Sequence, residues 1–155
     1  MPTTRPLTTN KLRTLLLSAS AAAPFSLIDD TLEWILLDTA YVPDQAHDFV
    51  NDVAANEISG TGYAAGFGGS GRKTVASKAI VFDADGVPSF DAADPTWTGL
   101  DAGQPGWLAL TKRGTSNSDS PFLGAIRLTT EVTDGTDFSV HLPEAGVFPL
   151  QDSTP

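Results

Sequence analysis

The stretch Thr31-Leu32-Glu33-Trp34-Ile35-Leu36-Leu37-Asp38 decides the fold. Successive side chains of an extended chain point to opposite faces, so Leu32, Trp34 and Leu36 share one face and Glu33, Ile35 and Leu37 the other. Both faces are largely apolar. A strand covered on both sides belongs inside a sheet, and this one reads as a central strand.

Outward from this strand, the chain alternates short apolar runs with turn residues. Tyr41-Val42-Pro43-Asp44 breaks the pattern, and His47–Ala55 reads as a helical turn or a loop. Glu57–Gly71 is glycine-rich. Lys73–Asp83 alternates as one strand, with Ile80 and Phe82 opposite Ala79 and Val81, and ends in the Asx and glycine turn Asp83-Ala84-Asp85-Gly86. Pro88–Trp97 holds a short edge strand at most, because Pro88 and Pro95 interrupt it. Pro105–Lys112 is a strand with Trp107 and Ala109 on one face and Leu108 and Leu110 on the other. Phe122–Thr130 follows a polar loop, with Ile126 and Leu128 inward and Arg127 outward. Phe138, Val140 and Leu142 mark a last alternating strand, and Val147–Leu150 a short one.

On the other side of the deciding strand, residues 1–10 are rich in proline and threonine and read as an extended arm. Residues 11–20 read as a short helix, capped by Thr9 or Asn10, with Leu12, Leu15 and Leu16 on one face. Residues 21–26 read as a linker. The fold class is therefore mainly β: an antiparallel β-sandwich or small barrel with a short N-terminal helix and an extended N-terminal arm. The organisation is an arm and helix over 1–28, a β-rich domain over 29–150 and a tail over 151–155.

A chain of 155 residues with 41% hydrophobic content can bury a core, which argues against global disorder. Its formal charge of −10 disfavours contact with phosphate backbones, so no nucleic-acid partner is expected. The charge is uneven: residues 1–28 carry +3, from Arg5, Lys11 and Arg13, and the remainder carries −13. Such an arm suits an acidic neighbour, or is a solvated tail. The absence of cysteine excludes disulfides and thiolate-bound metals and favours synthesis in the cytosol. The basic start, Leu15-Leu16-Leu17 and Ala21-Ala22-Ala23 have some marks of a signal peptide, but Ser18 and Ser20 break the apolar run and a helix is the better reading. No apolar run reaches the ~18 residues of a membrane span, and no membrane partner is expected.

The candidate chemical motifs fail on context. Gly66-Phe67-Gly68-Gly69-Ser70-Gly71 matches the GxGxxG pattern, but phosphate binding needs a helix after the loop, and a strand follows here. Asp83, Asp85, Asp91 and Asp94 lack the alternating ligand positions and closing glutamate of a calcium loop. His47 and His141 make an acid–base or zinc site only if the fold unites them. Glu33, Glu57, Glu131 and Glu144 contain a glycosidase pair only if two of them flank a cleft. Trp34, Trp97 and Trp107 read as core, with Trp97 the least securely buried. No catalytic residue, cofactor or metal is expected.

Several segments, in order, resemble a family of small tailed-bacteriophage virion proteins. They are the helix; Thr31–Leu37 with Tyr41-Val42-Pro43-Asp44; Asn56-Glu57-Ile58-Ser59-Gly60-Thr61-Gly62-Tyr63; Asp94-Pro95-Thr96-Trp97; the pair Trp107–Gly114 and Pro121–Leu128; and Phe138–Phe148. The longer Pro/Thr arm and the Gly66–Gly71 insertion depart from the pattern. The resemblance implies a non-enzymatic capsid decoration protein on the virion exterior, made in the host cytoplasm. It implies the major capsid protein as partner and self-association, typically as a trimer. The alternative is a minor tail or fibre-associated protein with a receptor- or carbohydrate-binding role. Arg5, Leu7, Lys11, Arg13, Tyr63, Phe67 and Trp97 are the expected contact residues.

Overall fold

The structure is a computed structural model that describes residues 6–18, 24–129 and 131–150. Its elements are β1 (Leu7–Thr8), α1 (Asn10–Ser18), β2 (Leu32–Asp38), β3 (Lys73–Thr74), β4 (Ala79–Phe82), β5 (Pro88–Asp91), β6 (Thr96–Trp97), β7 (Pro105–Lys112), β8 (Phe122–Arg127), β9 (Phe138–Ser139) and β10 (Phe148–Pro149). All strand pairs are antiparallel. The strands form a five-stranded sheet in the order β1-β8-β7-β2-β3, a three-stranded sheet β10-β5-β4 and a two-stranded sheet β6-β9.

The deciding strand does what its alternation dictates. β2 is an interior strand, paired along its length with β7 from Leu32↔Lys112 to Asp38↔Pro105, and all but Asp38 is buried. Its Leu32, Trp34 and Leu36 enter one core cluster, together with Leu108 and Leu110 of β7. Its Ile35 and Leu37 enter a second cluster on the opposite face, with Trp107 and Ala109. The first cluster also contains Phe90, Phe148 and Trp97, so the large sheet faces the two smaller ones across it in a sandwich-like arrangement. The second is closed by Tyr41, Val50, Val53 and Phe122. Val50 and Val53 come from the region of two 3₁₀ turns, Val50–Asp52 and Ala54–Asn56, where a helical turn or a loop is expected.

Three local expectations are corrected. Lys73–Asp83 is two strands in two different sheets, because the chain bends at Ser77, whose φ of 53° is left-handed. Pro88 opens the middle strand of its sheet and not an edge. It is the first residue of β5, opposite Phe82; the bond from the Asp83 N–H to the Val87 carbonyl turns the Pro88 nitrogen away from β4 and toward the end of β10, where the Leu150 N–H donates to the Pro88 carbonyl, so the proline withholds a single hydrogen bond at the end of the ladder. The alternation at Phe138, Val140 and Leu142 yields only the two-residue β9.

From Pro6 onward the expected arm is built into the body. Leu7 and Thr8 form an edge strand on β8, opposite Ala125 and Gly124. Thr9 caps α1: its Oγ1 accepts the Leu12 N–H at 3.2 Å and donates to the Phe122 carbonyl at 2.7 Å. Leu12 is fully buried, Leu15 packs against the core and Leu16 is exposed at the rim.

Candidate interaction surface

The glycine-rich segment before β3 is fixed by a buried carboxylate. Glu57 accepts Arg72 Nε at 2.9 Å and the Tyr63 hydroxyl at 3.0 Å on Oε1, and Arg72 Nη2 at 2.7 Å and the Gly66 N–H at 3.1 Å on Oε2. Both ionic side chains are about 2% exposed. Burial alone would lower the Arg72 pKa; the hydrogen bonds and charge of Glu57, with Tyr63 and Glu33 beyond it, outweigh that and raise it. Gly71 lies against the Tyr63 ring, and its carbonyl accepts Trp97 Nε1 at 2.6 Å. The loop that matches a phosphate-binding pattern is thus tied to the body at its two ends, Gly66 and Gly71, with Phe67, Gly68 and Ser70 exposed between them, and a strand follows it.

The other candidate acids are also engaged or dispersed. Glu33 is buried and paired with Arg113, whose guanidinium lies over the Phe67 ring at 4.8 Å. Glu131 and Glu144 are both exposed. The histidines have separate partners. His47 Nδ1 is 3.2 Å from the Tyr41 hydroxyl, and His141 Nδ1 is 2.8 Å from Asp94 Oδ2. Asp94 is held below the usual carboxylate range, chiefly by the Leu142 N–H and then by His141. Among the described residues no group of three or more histidine or carboxylate side chains is arranged to hold a metal, and no helix is long and apolar enough to cross a membrane.

The seven expected contact residues scatter. Arg5 lies outside the described residues. Tyr63 and Trp97 lie in the core, which corrects both as contact residues and agrees with the core reading of Trp97: they are 1% and 0% exposed, because glycine at position 71 leaves room for the Tyr63 ring and Trp97 packs between Tyr63 and Phe138. Leu7 is half-buried in the sheet and packs on the second cluster, so it serves its own fold. Lys11 sits over the Phe49 ring at 4.2 Å, and Arg13 is half-buried on α1. Phe67, beneath Arg113, is the aromatic of the set that reaches the surface.

The surface carries a groove of about 810 Å³ that the sequence does not announce. It runs between the end of β8 and the segment Phe138–Pro149. Ile126, Leu128 and Val140 give it apolar walls, Arg127 and Glu131 give it charges of both signs, His141 adds an imidazole, and Pro6 lies along it where β1 begins. Apart from Pro6 its lining comes from positions 126–149, spread over the end of β8, β9 and the irregular chain around them, so no strand or helix period signals it. Such a concave, mostly apolar surface with a few polar groups suits a ligand or a chain segment. Comparison with known proteins adds no relative: no family model, no curated protein and no solved structure matches the chain.

Proposed function

We propose that this chain is a non-enzymatic structural protein of a tailed-phage virion, docking on the capsid exterior as a decoration protein. The observation that carries this reading is the groove beside β1, a built surface large enough for a segment of a neighbouring subunit. The ordered motif resemblance selects the virion as the setting. The two buried carboxylates support a structural role: Glu57 and Glu33 each neutralise an arginine and stiffen the body. An acidic exterior is tolerable outside a shell, away from packaged DNA. The proposed partners are the major capsid protein and further copies of this chain, in threefold clusters.

The carbohydrate-binding tail reading is the weaker one. Tyr63 and Trp97, two aromatic rings that could stack on a sugar if exposed, are both inside the core. Quantitative protein analysis of purified virions tests the proposal. Copy numbers comparable with the shell subunit are expected, together with a lower capsid melting temperature when the chain is missing and recovery when it is added back. A few copies per particle would move the chain to the tail, and absence from particles would end both readings.

A further inference from the structure

The three-stranded sheet ends on one side in β4, the longest edge strand among the described residues. No described residue pairs with its outer side. The hydrogen-bond phase of the β4–β5 hairpin fixes which groups face outward. The Asp83 N–H donates to the Val87 carbonyl, and the ladder continues through Val81↔Ser89 and Ala79↔Asp91. In an antiparallel ladder the intervening residues turn their N–H and C=O away, so those of Ile80 and Phe82 point to the open edge.

The side chains of the same two residues are apolar and uncovered. Ile80 stands opposite Phe90 and therefore shares its face of the sheet. Phe90 is fully buried, whereas Ile80 is 37% and Phe82 68% exposed. The core-facing side of this sheet runs past the body that covers it. An unpaired apolar edge of this kind is normally shortened, charged or bulged. Here the charges sit only at the ends: Lys78 before the strand, and Asp83 and Asp85 after it.

We infer that the occupant of this edge is β4 of a second copy, added antiparallel about a two-fold axis. Charge complementarity selects it. Antiparallel self-pairing brings the Lys78 end of each copy to the Asp83–Asp85 end of the other, twice. A two-fold axis normal to the sheet must place a residue opposite itself, and at Val81 this sets Ile80 against Phe82 of the second copy in both directions. That register makes about four backbone hydrogen bonds from the outward groups of Ile80 and Phe82 and joins the four apolar side chains into one cluster. Lys78 of each copy then falls beside the Asp83–Asp85 turn of the other, and its ammonium, which donates to the Asp30 carbonyl, has two further protons to offer those carboxylates. The inference goes beyond the virion reading and does not depend on it. A two-fold edge contact would link threefold clusters and not form them.

Sedimentation of the purified full chain from dilute to concentrated solution tests it. A reversible dimer is expected. Phe82→Lys should lose the dimer while keeping the circular dichroism spectrum and melting temperature, since Phe82 is mostly exposed. The chain contains no cysteine, so single-cysteine variants report geometry directly. The Val81 pair would have Cα atoms about 4.5 Å apart, within disulfide reach. Val81→Cys should cross-link under mild oxidation, and Val42→Cys, at a site 75% exposed, should not. A wild-type chain that is monomeric throughout, a Phe82→Lys variant that associates as well as wild type, or equal cross-linking of the two cysteine variants would each overturn the inference.

Discussion

Arg72 and Glu57 meet in a two-pronged ion pair, at 2.9 Å and 2.7 Å, with both side chains almost wholly removed from water. Two buried charges are tolerated only while each satisfies the other. Removing one leaves the other uncompensated, so Glu57→Ala and Arg72→Ala should each lower stability by about 3–5 kcal/mol. Urea unfolding gives the values. The double variant should lose less than the two single losses combined, because it strands no charge. Additive losses would mean that the two side chains do not depend on each other.

Gly71 should not tolerate a methyl group. A Cβ there would collide with the Tyr63 ring, which is buried and fixed through its hydroxyl to Glu57 and to the Leu36 N–H. Gly71→Ala should therefore cost about 1–3 kcal/mol through overpacking. Gly86→Ala costs by another route: the residue has a φ of 76° in the β4–β5 turn and open space around it, so the strain is in the backbone alone. Combining Gly71→Ala with Tyr63→Leu should recover part of the first loss and none of the second. Thermal unfolding of the set distinguishes the cases.

These positions mark what sequence reasoning reaches. β2 and β7 are legible end to end because both carry apolar residues on both faces, a pattern that only an interior strand satisfies. Ser77 is not legible: a left-handed serine has no signature, so one alternating run over 73–83 reads as one strand. Pro88 misleads because a proline at the first position of a strand removes only one hydrogen bond at the ladder's end, and composition does not say where a strand begins. Tyr63 sits in a glycine-rich run that reads as surface, yet Gly71 is what lets its ring sink into the core. The Glu57–Arg72 pair and the groove join positions without any local period, so they emerge only in three dimensions.

Thr9 should hold the N-terminal segment more firmly than its place near the chain start suggests. Its hydroxyl accepts the Leu12 N–H and donates to the Phe122 carbonyl, and the residue is fully buried. Thr9→Val keeps the shape and removes both bonds, which should cost about 1–2 kcal/mol. Hydrogen exchange at Leu12 should quicken more than exchange at Ile35 in the middle of β2. A neutral Thr9→Val would show that the cap contributes nothing and that Leu12 alone anchors α1.

Both tyrosines should resist ionisation until the fold gives way. Burial pushes Tyr41 up to about 12, with the Asp44 carboxylate adding to the rise against a hydrogen bond from the Asp44 backbone. Burial also raises Tyr63, reinforced by the charge of Glu57. An unfolded tyrosine ionises near pH ~10. Because the folded value lies above the unfolded one, the contribution of Tyr41 to stability is complete below pH ~10 and is lost as pH rises from there through about 12. The chain has only these two tyrosines, so phenolate absorbance reads them without interference from others. It should appear late and steeply, together with loss of near-ultraviolet circular dichroism, and Tyr41→Phe should leave a single late transition. A gradual titration centred near pH ~10, with the tertiary signal intact, would place at least one ring in water and contradict the packing of the core cluster to which it belongs.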